Sequence, residues 1–119
     1  MIDKKISILG ASGYVGSRLY PYLIESGFEI TCLSRSPQKI KSRFHNKSNK
    51  VFKNLKADLN NVDLLASQLK GQDVLIYLIH SMKSAGRKYA EADNLLAKNV
   101  SVASKKAGVK RIIYLGGLG

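Results

Sequence analysis

Apolar residues along this chain follow two spacings that alternate from one segment to the next. Residues 6–9 and 28–33 are short, mainly apolar runs, which is typical of buried strands. Between residues 17 and 24 the apolar residues recur instead at helical intervals, which predicts an amphipathic helix between the two strands. The pattern therefore predicts strands that are separated by helices.

The remaining predicted elements continue this alternation. Further strands are predicted at residues 51–57, 73–79 and 109–115, and further helices at residues 38–43, 62–69 and 88–107. The run at 73–79 is almost entirely apolar, as expected of a central parallel strand that is buried on both faces. The last helix is predicted to present one apolar face, made by Leu95, Leu96, Val100 and Ala103.

Strict alternation of strands and helices predicts the fold class. Parallel strands need helical crossovers, and these crossovers are right-handed. We therefore expect an α/β fold with a doubly wound (Rossmann) parallel sheet, five strands in the order 3-2-1-4-5, and helices on both faces. The 119 residues contain no linker or repeat and are predicted to form one domain. Because no helix follows the last strand, we expect this domain to be the N-terminal part of a longer protein.

A glycine-rich turn, residues 10–16, joins the first strand to the first helix and is the main candidate for binding chemistry. Gly10, Gly13 and Gly16 have the spacing of a turn that receives a dinucleotide pyrophosphate. Side chains there would hold the phosphates away from the backbone amides, and the helix start offers N–H groups without a helical acceptor. Gly16 is also expected to let the helix pack closely on the strand. A tight turn without a ligand is the alternative; the flanking strand and helix favour dinucleotide binding.

Composition limits the class of protein. With 45% hydrophobic and 24% charged residues the chain resembles ordinary folded domains, and no apolar run approaches the ~18 residues of a membrane span. The sequence lacks the layout of a signal peptide, and its only cysteine, Cys32, excludes an internal disulfide and a cysteine zinc cluster. We therefore expect a cytoplasmic protein without a metal site, with Cys32 as a buried apolar side chain.

The net charge of +12 attracts phosphorylated ligands, nucleic acid or an anionic membrane surface. Between Arg35 and Lys56 the chain contains eight basic residues and no acidic one. This stretch has only two aromatic residues, Phe44 and Phe52, too few for a platform on which bases stack. A solvated basic surface is therefore favoured over a nucleic-acid interface, and no membrane partner is expected.

The end of the second strand predicts which dinucleotide is bound. An NAD site places a carboxylate there, about 20 residues past the glycine turn, to accept hydrogen bonds from the ribose hydroxyls. This chain has Ser34 and Arg35 at that place, and Glu29 lies at the opposite end of the strand. Because a guanidinium pairs bidentately with a 2′-phosphate and a serine adds a hydroxyl, NADP(H) is favoured over NAD(H). A solvated strand-end charge is the alternative role for Arg35.

Four segments occur in an order and spacing that are shared with a known family. They are the turn at 10–16, Tyr-Leu-Ile-His-Ser-Met at 77–82, the helical segment 91–99, and Arg-Ile-Ile-Tyr-Leu-Gly-Gly-Leu-Gly at 111–119. Together they resemble the atypical and extended short-chain dehydrogenases/reductases, in the nucleoside-diphosphate-sugar-epimerase-like branch. The resemblance covers essentially the whole chain and implies the same doubly wound fold, an NAD(P) cofactor and a further C-terminal domain.

The resemblance also implies roles for residues that follow the third and fourth strands. It places Asp58 and Leu59 beside the adenine ring, with a helix N-cap as the alternative role for Asp58. Leu78 and Ile79 end the fourth strand and are expected to flank the adenosine or the pyrophosphate. His80 follows them at the crevice where open sheets bind ligands, and it is a weak candidate for hydrogen bonding or proton transfer, with a structural role in the loop as the alternative.

The predicted cofactor-binding residues are Gly10, Ala11, Ser12, Gly13, Tyr14, Val15, Gly16, Ser34, Arg35, Asp58, Leu59, Leu78, Ile79 and His80.

Catalysis is the point at which this chain departs from the family pattern. Typical members place a serine after the fifth strand, followed by a Tyr-x-x-x-Lys pair. Here that turn is made of residues 116–119, Gly-Gly-Leu-Gly, and none of the six tyrosines is followed by lysine four positions later. The resemblance implies an oxidoreductase or epimerase-like enzyme acting on a small molecule; the missing serine leaves open a non-catalytic NADP(H)-binding sensor or assembly module. A homo-oligomer is also left open, because an exposed fifth strand can pair with another chain.

Overall fold

The computed structural model describes residues 4–39, 52–79 and 87–114, and within these ranges it contains five strands and three α-helices. In chain order the elements are β1 (Lys5–Leu9), α1 (Tyr14–Glu25), β2 (Glu29–Ser34), a short 3-10 helix (Pro37–Lys39), β3 (Phe52–Lys56), α2 (Val62–Leu69), β4 (Val74–Tyr77), α3 (Arg87–Ala107) and β5 (Arg111–Tyr114).

The five strands form one parallel sheet in the order β3-β2-β1-β4-β5, as predicted from the sequence. Strand β1 lies in the centre, where Leu9 pairs with Leu33 of β2 on one side and with Tyr77 of β4 on the other. On the outer side of β2, Ser34 pairs with Lys56 of β3. Because all strands are parallel, their carboxyl ends meet at one edge of the sheet, which is the ligand-binding edge in open α/β sheets.

Helices cover both faces of the sheet, and the side-chain alternation of the strands divides the core accordingly. On one face Ile8 of β1 packs with Tyr20 and Ile24 of α1. On the other face Leu9 packs with Leu65 of α2 and Val100 of α3. Each large apolar side chain buried in this way contributes about 2 kcal/mol relative to full exposure. The alternation therefore orients β1 so that α1 lies over one face and α2 with α3 over the other.

Several predicted elements differ from the structure, and three of the differences are informative. The helix predicted at 38–43 begins as the 3-10 helix Pro37–Lys39, and residues 40–51 lie outside the described part of the chain. Strand β4 is shorter than predicted, and its Val74 and Ile76 are only half-buried, because α1 alone packs over that face in the described ranges. Leu95 was predicted on the apolar face of α3, and this is wrong: its side chain is 55% exposed, since only the neighbouring positions of α3 face the core.

Within the described ranges, no helix combines the length and the apolar character that a bilayer crossing needs.

Asp73, directly before β4, connects three strands at the amino edge of the sheet. Its Oδ2 accepts a hydrogen bond of 3.0 Å from the Lys5 backbone N–H, and its Oδ1 lies 3.6 Å from Lys110 Nζ. The hydrogen bond from Lys5, followed by the charges of Lys110 and Lys4, lowers the pKa of Asp73 below its ordinary value of 3.8. The ionised carboxylate therefore stabilises the folded state.

This lowered pKa predicts a pH-dependent contribution to stability. A carboxyl whose pKa is lower in the folded state stabilises above its unfolded value, and the contribution is lost as pH falls through the folded pKa. We expect Asp73→Asn, which keeps an acceptor but removes the charge, to be less stable than the parent at neutral pH. The difference in free energy of unfolding, measured by urea titration, is expected to begin to decrease near pH 3.8 and to vanish once the pH is below the lowered folded-state pKa. A difference that persists in acid would indicate that lost packing, and not charge, is responsible.

Candidate functional site at the carboxyl edge of the sheet

The glycine-rich turn begins with a residue that other amino acids replace poorly. Gly10 has a φ of +97°, in the left-handed region that side chains disfavour. Its N–H donates to the Leu33 carbonyl at 2.9 Å, and its own carbonyl accepts from the Gly13 N–H at 3.1 Å. The turn is therefore held against the end of β2 while it reverses into α1.

Gly16, in the first turn of α1, is needed because the helix approaches the turn closely. A Cβ on Gly16 would lie 2.5 Å from the Gly10 carbonyl oxygen and 2.7 Å from the Ala11 Cα. Both atoms belong to the backbone, so neither can move aside as a flexible side chain would. Gly16 therefore allows close packing of the helix, as predicted. The helix packs closely on the backbone of the glycine turn, however, and not on that of the strand.

The start of α1 is left uncapped by side chains. The N-cap residue is Gly13, which has no side chain to accept from the first amides, and α1 carries no acidic residue in its first turn. The first helical hydrogen bond runs from the Ser17 N–H to the Gly13 carbonyl at 2.9 Å. The amides of Tyr14, Val15 and Gly16 thus precede the helical hydrogen-bond ladder, and together with the helix dipole they favour a bound anion.

The structure brings the end of β4 to this turn. The Leu78 N–H donates to the Leu9 carbonyl at 2.9 Å. A Cβ on Gly10 would lie 3.1 Å from Ile79 Cγ1 and 3.3 Å from Leu78 Cβ. Leu78 and Ile79 are both half-buried and lie directly beside the glycine turn, Leu78 packing toward the α1 face of the sheet and Ile79 toward the other.

The end of β2 presents the two residues that the sequence singled out. Ser34 is 3% exposed, and its Oγ has no hydrogen-bond partner among the described residues. Arg35 follows it and is exposed. Glu29 lies at the amino end of β2, where it pairs with Lys5, far from this edge. A buried hydroxyl without a partner is energetically unfavourable unless a ligand or water satisfies it, and Ser34 shares this property with Ser7 and Ser104. What distinguishes Ser34 is its position at the carboxyl end of β2, next to Arg35.

Strand β3 supplies two residues that the sequence analysis did not select. The Asn54 side-chain amide donates to the Pro37 carbonyl at 2.9 Å, which ties the segment after Arg35 to the sheet. Lys56 pairs with Ser34 and is exposed. The predicted strand order already made β3 the neighbour of β2. The sequence did not predict which residues of the two strands pair, because this register depends on the exact ends of β3.

The residues after β3 take positions that differ from one another. Asp58 is exposed, and its Oδ1 accepts from the Asn60 N–H at 3.0 Å. The alternative role of Asp58 as the N-cap of α2 is wrong, because Asn61 is the N-cap and its Oδ1 accepts from the Leu64 N–H at 3.0 Å. Leu59 is 7% exposed and packs in the core between the sheet and α2. Of the two predicted residues, Asp58 is therefore the one whose side chain is exposed.

Arg18 turns toward its own helix. Its Nη1 donates to the Tyr14 carbonyl at 3.1 Å, and its guanidinium carbon lies 3.8 Å from the centre of the Tyr14 ring. Tyr14 is itself 75% exposed. In this structure the guanidinium is thus engaged by the first turn of α1.

Cys32 and His80 are the two remaining residues for which the sequence made a prediction. Burial raises the pKa of Cys32 to about 12, so its thiol stays protonated and is a core side chain, as predicted, and not a nucleophile. His80, the weak catalytic candidate, lies outside the described residues.

Comparison with known proteins agrees with this geometry. A model of the NAD(P)H-binding family matches residues 10–119. A candidate dihydroflavonol 4-reductase of Synechocystis sp. is 29% identical over 110 residues, which are 90% of this chain and 31% of that protein. The chloroplastic divinyl chlorophyllide a 8-vinyl-reductase of Arabidopsis thaliana is 24% identical over 126 residues, covering 98% of this chain and 30% of that protein.

Among solved structures, a candidate epimerase from Bacteroides thetaiotaomicron superposes with a TM-score of 0.76 at 36% identity. The superposition covers 99% of this chain and 49% of that one. The chain thus spans about a third of the length of the curated relatives and about half of the solved structure.

Proposed function

This chain belongs to the NAD(P)H-binding family, and we propose that it binds NADP(H) in preference to NAD(H) at the carboxyl edge of its sheet. The family match and the structural similarity confirm the resemblance to the short-chain dehydrogenases/reductases and their epimerase-like branch. The ligand class is accordingly a nicotinamide dinucleotide. We propose in addition that this dinucleotide is NADP(H) and that the residues named below bind it.

The pyrophosphate is assigned to the turn and the start of α1. There the amides of Tyr14, Val15 and Gly16 have no side-chain cap, and Gly10 and Gly16 keep the turn compact. A dinucleotide pyrophosphate supplies the negative charge that this helix start lacks within α1. Leu78 and Ile79, which lie beside Gly10, are assigned to the apolar side of the same position.

The adenosine end is assigned to the end of β2 and the turn after β3. Arg35, which is exposed, is assigned to pair with the 2′-phosphate, and Ser34, whose hydroxyl is unpartnered, is assigned to donate to the same group. Asp58 is the candidate for a contact near the adenine ring. Two residues of the predicted set, Ala11 and Leu59, are buried and add no side-chain contact to this assignment, whereas the half-buried Ser12 stays a candidate through its hydroxyl.

One observation carries the preference for NADP(H). The end of β2 combines a buried, unpartnered Ser34 hydroxyl with an exposed Arg35, and it has no carboxylate. A carboxylate there would accept from the ribose hydroxyls of NAD and repel a 2′-phosphate. A cation and a hydroxyl donor instead match the 2′-phosphate in charge and in hydrogen bonding.

We further propose a reductase or epimerase-like activity for this protein. NADP(H) supplies hydride chemistry when bound, and the residues of this domain bind and orient it. The named relatives are two reductases and a candidate epimerase, which favours an enzyme over the alternative of a sensor or assembly module. Substrate contacts and proton transfer are not assigned to the described residues.

Thermal unfolding with each cofactor tests the proposal. At a concentration of 100 times its Kd, a ligand that binds only the folded state stabilises by about 2.7 kcal/mol, or ~10 °C in Tm for a domain of this size. We expect NADPH to give such a shift at a concentration where NADH gives a clearly smaller one. Equal shifts would contradict the assignment of Arg35 and Ser34 to a 2′-phosphate, and no shift with either cofactor would contradict dinucleotide binding by this chain.

A further inference from the structure

Lys56, the last residue of β3, lies beside the proposed 2′-phosphate position through the register of the sheet. It pairs with Ser34 of β2. Paired residues on neighbouring parallel strands lie about 4.8 Å apart and place their side chains on the same face. An extended lysine side chain is long enough to bring its ammonium group next to any phosphate that the Ser34 hydroxyl contacts.

The face of the sheet on which these residues stand can be read from β2. Ile30 and Cys32 pack in the cluster under α1, and Ser34 continues their alternation on the same face at the carboxyl edge. Asn54, two residues before Lys56, follows the same alternation, and its amide holds the Pro37 carbonyl. Lys56 is therefore on the face of Ser34, and the segment that carries Arg35 is tied to the same strand.

The charges around Lys56 leave its ammonium group available. The ion pairs found among the described residues join Lys106 to Asp63 and Lys110 to Asp73, so neither Lys56 nor Arg35 takes part in one. Asp58 is the acidic residue nearest in sequence, and its Oδ1 already accepts from the Asn60 N–H. Two exposed cations thus flank one buried hydroxyl that lacks a partner.

We infer that Lys56 is a second specificity-determining residue, whose ammonium group binds the 2′-phosphate of NADP(H) together with Arg35 and Ser34. A 2′-phosphate carries close to two negative charges at neutral pH, and two cations with one hydroxyl donor match that charge. Arg35 approaches from the segment after β2 and Lys56 from the adjacent strand. This inference rests on the proposed function, because Lys56 has no role in a site that binds NAD(H) equally well.

Binding measurements on Lys56→Gln test the inference. By calorimetric titration we expect the Kd for NADPH to rise about tenfold, the loss of one charge-assisted hydrogen bond at an exposed site, while the Kd for NADH is unchanged. Adenosine 2′,5′-bisphosphate, which contains the 2′-phosphate without the nicotinamide half, is expected to lose affinity to the same extent. Lys56→Arg is expected to retain most of the preference for NADPH.

Lys53→Gln is the matched control. Lys53 belongs to the same strand and is also exposed, but it pairs with Thr31 and stands on the opposite face, closer to the amino edge. Lys53→Gln removes the same charge as Lys56→Gln. A general effect of net charge on anion binding would therefore lower the affinity for NADPH equally in both variants. A selective loss in Lys56→Gln supports the inference, and an equal loss in Lys53→Gln overturns it.

Failure of the inference and failure of the proposed function give different results. If the unmodified chain does not distinguish NADPH from NADH, the proposed function and the role of Lys56 both fail. If the unmodified chain prefers NADPH and Lys56→Gln keeps the full preference, the proposed function stands and Lys56 is only a solvated strand-end charge. In either case circular dichroism of the variant, expected to match the parent because the Lys56 side chain is exposed, shows that the fold is intact.

Discussion

Gly16→Ala is expected to lower the free energy of unfolding by about 3 kcal/mol, the upper end of the usual range for overpacking. The added Cβ would meet the Gly10 carbonyl oxygen at 2.5 Å, and the Cα and carbonyl carbon of Ala11 at 2.7 and 2.9 Å. Relief requires α1 to move away from the turn, since all three atoms belong to the backbone. That movement would also displace the amides proposed to bind the pyrophosphate, so NADPH affinity should fall with stability.

A second glycine variant separates this steric effect from backbone strain. Gly27 follows α1 with a φ of +96°, but a Cβ there would have no atom within 4 Å. Gly27→Ala is therefore expected to cost only the left-handed strain of about 1 kcal/mol and to leave NADPH binding unchanged. Urea unfolding of both variants under one set of conditions provides the comparison. A loss in Gly16→Ala no larger than in Gly27→Ala would mean that the helix can shift at little cost.

Arg35→Asp is expected to raise the Kd for NADPH about 100-fold, since a charge-assisted hydrogen bond is lost and a like charge faces the phosphate. The Kd for NADH should stay the same or fall, because a carboxylate at the end of β2 accepts from the ribose hydroxyls. The ratio of the two Kd values, measured by titration of each cofactor, is the decisive quantity. It is independent of any small change in overall stability.

The control for this variant makes the same change of charge elsewhere. Arg111 is exposed at the amino end of β5, where it pairs with Val74 at the edge opposite the proposed site. Arg111→Asp changes the net charge as Arg35→Asp does, so both weaken any long-range attraction of a dinucleotide alike. If the two variants alter the ratio of Kd values equally, Arg35 has no direct contact with the 2′-phosphate.

Much of the fold was predictable because its signals are local. Short stretches with apolar residues, separated by helical spacing, predicted the five strands, and their alternation with right-handed crossovers predicted the strand order. Helix α2 was predicted with the bounds that the structure has. The predictions that were wrong concern ends and faces. Asn61 and not Asp58 caps α2, because the cap depends on where the helix begins, and Leu95 is exposed because only part of α3 packs on the sheet.

The candidate site was predictable to a similar degree. The sequence by itself determined the glycine turn between β1 and α1 and the absence of an acid at the end of β2, because both are properties of consecutive residues. Tertiary structure alone decided what these residues meet: the backbone contact that requires Gly16, the unpartnered Ser34 hydroxyl, and the register that sets Lys56 beside it. The physical reason is that register and packing distance arise between segments far apart in the chain, whereas hydrophobic periodicity and turn chemistry act within a few neighbouring residues.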